Sequence, residues 1–149
     1  MKRQYVGGVT TLVAPGNVDA VGVMTVSNRV IIRGWDFNAV IYRFTPGEVA
    51  AAAWMRNEIT RATTINTNFG LAVATTVVLP VQNVAGADYI GTAGTGISVI
   101  TRHLSQKEAE DLGLVLDYGE SIRMLQRLYQ VGTGATEARF DGFFFYQDI

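Results

Sequence analysis

The chain has 149 residues, enough for a single domain with a sizeable core. It has no cysteine, which excludes disulfide scaffolds, thiolate metal sites and cysteine nucleophiles. Twelve basic residues against thirteen acidic ones leave a net charge of −1, which argues against a main task of neutralising phosphates.

In chain order, the opening MKRQYVGGVTTLVAPG is basic but has no continuous apolar run. No later segment reaches the roughly 18 apolar residues of a membrane span, so a soluble chain without an export signal or membrane contact is expected. Pro15-Gly16-Asn17 forms a turn cluster, and the Val-rich VDAVGVMTVSN after it reads as a strand. RVIIRGWDFNAVIYRF is a long β-type run in which neither parity is consistently apolar, so Gly34 is expected to mark a bulge where the faces exchange. TPGEVAAAAWMRNEIT then carries helix-start signals: Thr45 as N-cap, Pro46 at the first helical position, Glu48 completing a capping box, and an alanine run. A helix near 46–60 is expected.

FGLAVATTVVLPVQNV and GISVITRHL read as further strands. SQKEAEDLG repeats the capping device, with Ser105 as cap, Glu108 reaching back and Gly113 ending a short helix near 105–112. ESIRMLQRLYQV and ARFDGFFFYQ are the last strands, and the intervening GTGATE suggests a closing hairpin. No repeat or linker divides the chain, so residues 1–149 are read as one β-sandwich domain.

Charge is unevenly distributed. From Ala62 to Thr101 the only charged side chain is Asp88. Either Thr and Asn hydrate this face, or it meets other protein chains, whose interfaces lose charge at their centres. The second reading predicts a homodimer or homotrimer with this segment at the contact, and Thr64, Thr76 and Asn83 as its marker residues.

Tests for catalysis give little. His103 is the only histidine, so metal centres built from two or three histidines are excluded. Ser98 lacks the glycines of a nucleophile elbow, and Ser105 is better explained as a cap. GTAGTGIS has no lysine after its last glycine, as a P-loop requires, and GTGATE lacks the third glycine of a dinucleotide fingerprint. Asp36, Asp117, Glu120 and Asp141 could pair as glycosidase acids, although thirteen acids supply close pairs by chance. No catalytic residue, cofactor or metal is assigned. Ten of the twelve basic residues are arginines, which suit protein contacts or intramolecular pairing better here than nucleic acid.

The ending ARFDGFFFYQDI poses the functional question. In a strand, Ala138, Phe140, Phe144 and Tyr146 share one face and Phe143 and Phe145 the other. If the first set is core, the second must meet the helix expected near 46–60, another chain, or water.

Three short motifs in the last quarter are Gly119-Glu120-Ser121, Gly132-Thr133-Gly134-Ala135-Thr136 and Asp141-Gly142. Together they resemble the closing hairpin of jelly-roll virion proteins of tailed bacteriophages. The charge-poor middle and the absence of thiols also look like capsid cement or decoration proteins. The resemblance implies an all-β, jelly-roll-like antiparallel sandwich, here with two short helical insertions, that is non-catalytic and located at the capsid surface of a virion. It further implies that the chain oligomerises and stabilises the shell by binding the major capsid protein, with Phe143 and Phe145 as candidate contacts. Alternatives are a tail or fibre component, a small jelly-roll capsid subunit, or, from another class, a carbohydrate-binding module using Trp35, Trp54 and Tyr89. A small β-sandwich hydrolase is a further alternative.

Overall fold

The computed structural model describes residues 1–43, 52–62, 75–79, 85–88 and 94–149. The strands are β1 (Lys2–Leu12), β2 (Gly16–Thr25), β3 (Val30–Arg43), β4 (Ala52–Ala62), β5 (Thr75–Leu79), β6 (Ala85–Asp88), β7 (Gly94–His103), β8 (Val115–Leu116), β9 (Ser121–Val131) and β10 (Thr136–Asp148). One helix, α1 (Gln106–Asp111), lies between β7 and β8.

Two antiparallel sheets form. The first runs β1-β10-β3-β7, with β8 beside the start of β3, and the second runs β2-β9-β4-β5, with β6 extending the edge that β5 begins. With β5 and β6 taken as one interrupted strand and β8 as an appendage, eight strands remain. Chain order moves from one sheet to the other at nearly every connection, which is the rolled-up double Greek key of a jelly roll.

Alternation explains which faces meet. Trp35, Phe37, Ala39 and Ile41 of β3 and Ala138, Phe140 and Phe144 of β10 are buried against Met55 and Ile59 of β4 and Ile122, Met124 and Leu128 of β9. The expected bulge is present: Phe145 pairs with Gly34, but Tyr146 pairs with Ile32, so Arg33 is the extra residue. That slip lets both Ile32 and Trp35 point inward, although their parities differ. Gly34 has φ +141, and a Cβ there would overlap the Arg102 carbonyl oxygen.

Gly142 is the second position that must be glycine. It lies between Phe140 and Phe144 on the buried face of β10, opposite Phe37. The Phe37 ring fills the vacant slot and meets both phenylalanines edge-on, at centroid distances of 6.1 and 5.1 Å. The Asp141-Gly142 motif thus makes room for an aromatic from the neighbouring strand.

Two expectations are corrected. Residues 52–62 are strand, not helix; Ala53, Met55, Asn57 and Ile59 alternate inward, and all eleven residues pair with β9. Tertiary pairing on both sides overrides the helix preference of the alanine run. The rest of the expected helix, 46–51, lies outside the described residues. Nor is the ending a hairpin: β9 and β10 belong to different sheets, and the glycine-rich turn carries the chain across. Gly132 and Gly134 both have positive φ, and the Gln130 amide bridges that turn by donating to both of their carbonyls. The second expected helix is found: Ser105 and Glu108 form the reciprocal capping box, and Gly113 follows with φ +69.

Candidate functional site

The register of the first sheet generates a continuous outer face. Across four strands, Tyr5, Phe143, Asp36 and Thr101 stand directly opposite one another. The next row is Arg3, Phe145, Gly34 and His103. Because directly opposed residues in antiparallel strands share a face, both rows point away from the core.

An aromatic stripe crosses these rows. Tyr5 meets Phe143 edge-on at 5.7 Å, Phe143 neighbours Phe145 at 6.4 Å, and Phe145 meets His103 at 5.9 Å. The last contact spans β3, where Gly34 offers no side chain to separate the rings. The Arg3 guanidinium lies 4.6 Å from the Phe143 centroid, on the negative face of the ring. Phe143 and Phe145 are half-buried, while Tyr5 is 55% exposed. Among the described residues, the ring contacts of the two phenylalanines are with β1, with β7 and with each other, all within the first sheet. The segment once expected to cover them is β4, which belongs to the opposite sheet.

Polar groups surround the stripe. Asp36 accepts a hydrogen bond from the Thr101 hydroxyl at 2.8 Å. One row further on, Gly7, Asp141 and Asn38 are opposed, and a broad open depression is lined by Tyr5, Gly7, Val9, Asn38, Arg139 and Asp141. Arg139 is tied to Glu137. The face is therefore an aromatic strip with a mixed, largely self-paired polar border.

The other sequence candidates fall in different places. Trp35 is fully buried, so it cannot belong to an exposed sugar platform; the Trp54 side chain and Tyr89 lie outside the described residues. Thr64 and Asn83 lie outside them as well, while Thr76 sits on β5, the edge strand of the second sheet, opposite Arg61. The four acids separate into two pairs. Asp36 and Asp141 are diagonal neighbours on the outer face. Asp117 and Glu120 share the turn after β8, where Glu120 accepts from the Asp117 backbone N–H at 2.7 Å and from Arg61 at 3.3 Å. Most arginines are engaged inside the fold: Arg29 with Asp117, Arg56 with Glu58, Arg102 with Glu108 and Arg127 with Asp19. The bidentate hydrogen bonds from Arg127 to Asp19 raise the guanidinium pKa above its ordinary value.

Sequence reasoning missed Tyr5 and Arg3, because β1 was not read as a strand. Its signal is alternation: Val6 and Thr10 are buried between exposed Tyr5, Gly7, Val9 and Thr11. Gly7-Gly8 and Gln4 obscure that pattern in the sequence alone.

No family model matches the chain, and no curated protein matches it. Similar solved structures exist at low identity. The Eiger TNF structure from S. frugiperda has a TM-score of 0.37 and 12% identity, covering 97% of this chain and 93% of that one. The structure of infectious bursal disease virus Gx strain has a TM-score of 0.40 and 8% identity, covering 95% and 32%. One of the carbohydrate-binding modules from the beta-sandwich super family has a TM-score of 0.38 and 10% identity, covering 98% and 57%. The chain thus spans about a third of the viral chain and just over half of the carbohydrate-binding one.

Proposed function

We propose that the chain is a non-catalytic structural protein of a virus particle, a bacteriophage cement or decoration protein that binds the major capsid protein through the outer face of its first sheet. The observation that carries this reading is the aromatic stripe of Tyr5, Phe143 and Phe145, partly open to solvent on a rigid sheet. Aromatics with a bordering arginine are the side chains that dominate protein interfaces, and truncating one there costs on the order of 2 kcal/mol. The sequence resemblance supports the same class, although its glycine motifs are accounted for by turns and close packing rather than by contacts with a partner. Sister copies meet, in this reading, along the charge-poor edge that includes Thr76.

The direct test is composition. Purified particles of the source virus should contain the chain in a fixed ratio to the major capsid protein, and its absence from them would refute the assignment. A carbohydrate-binding role is the second reading, favoured by exposed Tyr5 beside the depression that holds Asn38 and Asp141. Saccharide binding lost on Tyr5→Ala, in a chain that ignores capsids, would establish it instead.

A further inference from the structure

Strand β1 lies at the end of the first sheet, paired to β10 on one side through all eleven residues without a register break. Among the described residues, no backbone hydrogen bond from a loop or turn reaches its other side. Edge strands are ordinarily guarded against pairing by charge, proline or a bulge. Here residues 4–18 carry no charge, Pro15 lies beyond the strand, and Tyr5 and Val9, which share the outer face, stand 55 and 57% exposed. Lys2 and Arg3 are the only charges, both at the N-terminal end, and Lys2 is held by Asp148.

We infer that β1 pairs with β1 of a second copy of this chain, antiparallel about a two-fold axis through Gly7, joining the two first sheets into one. The residues select this arrangement. A two-fold centred on Gly7 overlaps the whole strand, Lys2 against Leu12, and sets Tyr5 opposite Val9 of the other copy twice over. Aromatic and β-branched residues are favourable cross-strand partners. Arg3 then faces Thr11, and the two basic ends lie farthest apart, whereas parallel pairing would set Lys2 against Lys2.

The contact is also large enough. An eleven-residue strand is about 37 Å long. With β2 packed closely beneath it and side chains on both, the flank covers about 600 Å² per copy, at the lower end of the roughly 600–1,000 Å² per partner of a stable interface. The pairing would also place the aromatic stripes of both copies on one continuous face. It does not depend on what that face binds.

The absence of cysteine makes the test clean. Opposed strand residues have Cα atoms about 4.5–5.5 Å apart, within disulfide range. In the double variant Tyr5→Cys with Val9→Cys, mild oxidation should give a covalent dimer. Neither single variant should, because like positions are then about 13 Å apart. Val9→Lys, at an exposed site, should remove this contact and lower the mass seen by light scattering while the circular dichroism stays native. A native double variant that remains uncrosslinked, equal crosslinking of the singles, or a mass unchanged by Val9→Lys would overturn the proposal. So would a wild-type chain that stays single at all concentrations.

Discussion

Replacing Gly142 by alanine should be among the most damaging one-carbon changes in the sheet. The added Cβ would overlap the Asp36 carbonyl oxygen and stand 2.7 Å from both Cα and Cδ1 of Phe37. Neither can move cheaply: the carbonyl belongs to the β3 backbone, and the ring is fixed between Phe140 and Phe144. Overpacking a well-filled core costs about 1–3 kcal/mol, and a backbone collision places this case near about 3 kcal/mol. For a domain of this size that is a fall in Tm of about 6–12 °C. Gly7→Ala is the internal control. It adds the same carbon on the outer face of the neighbouring strand β1, with nearest atoms at 3.2 Å, and should cost under about 1 kcal/mol. Urea titration of both variants, with unchanged m-values, gives the comparison. Equal costs, or a Gly142→Ala cost below about 0.5 kcal/mol, would refute the slot described for Phe37.

Glu120→Ala should destabilise by about 2 kcal/mol, read as a lower urea midpoint, because it leaves the Asp117 N–H without its acceptor and the partly buried Arg61, which keeps the Gly113 carbonyl, without its carboxylate partner. The α1 cap should give a small acid-dependent signal. Hydrogen bonds from the Ser105 backbone N–H and side chain hold the Glu108 carboxyl below its usual 4.5. A depressed folded-state value means that the contribution is complete above the unfolded value and is lost as pH falls through the folded one. The Tm difference between wild type and Glu108→Gln should therefore shrink on acidification, and a difference that grows would contradict the cap. Thr76→Lys should lower the solution mass if the charge-poor edge joins sister copies; a native variant of unchanged mass would exclude that contact.

Much of the fold was legible because its signals are local. The alternation in ARFDGFFFYQ assigned Phe140 and Phe144 inward and Phe143 and Phe145 outward, and burial agrees. The Ser105–Glu108 box and the Gly34 bulge were equally readable. What failed depended on partners distant in sequence. Asn57, buried opposite Gln126, interrupts the apolar alternation of β4, so the alanines beside it suggested helix. The β9–β10 connection resembles a hairpin locally, and only the packing of two sheets shows that it crosses between them. The stripe itself was half visible: Phe143 and Phe145 stood out in sequence, but Tyr5, Arg3 and His103 reach them only through the pairing of β1 with β10 and of β3 with both β10 and β7.

Binding of the double variant Phe143→Ser with Phe145→Ser to capsids lacking the protein, measured alongside its melting temperature, tests the central claim most directly. Cross-strand aromatic contacts are worth about 0.2–1 kcal/mol each, so losing the two to Tyr5 and His103 should lower Tm by no more than about 8 °C. Losing two interface aromatics should weaken capsid binding about 100-fold or more. Binding at wild-type strength by the folded variant would contradict the assignment, as would a melting temperature so reduced that the pair must belong to the chain's own core.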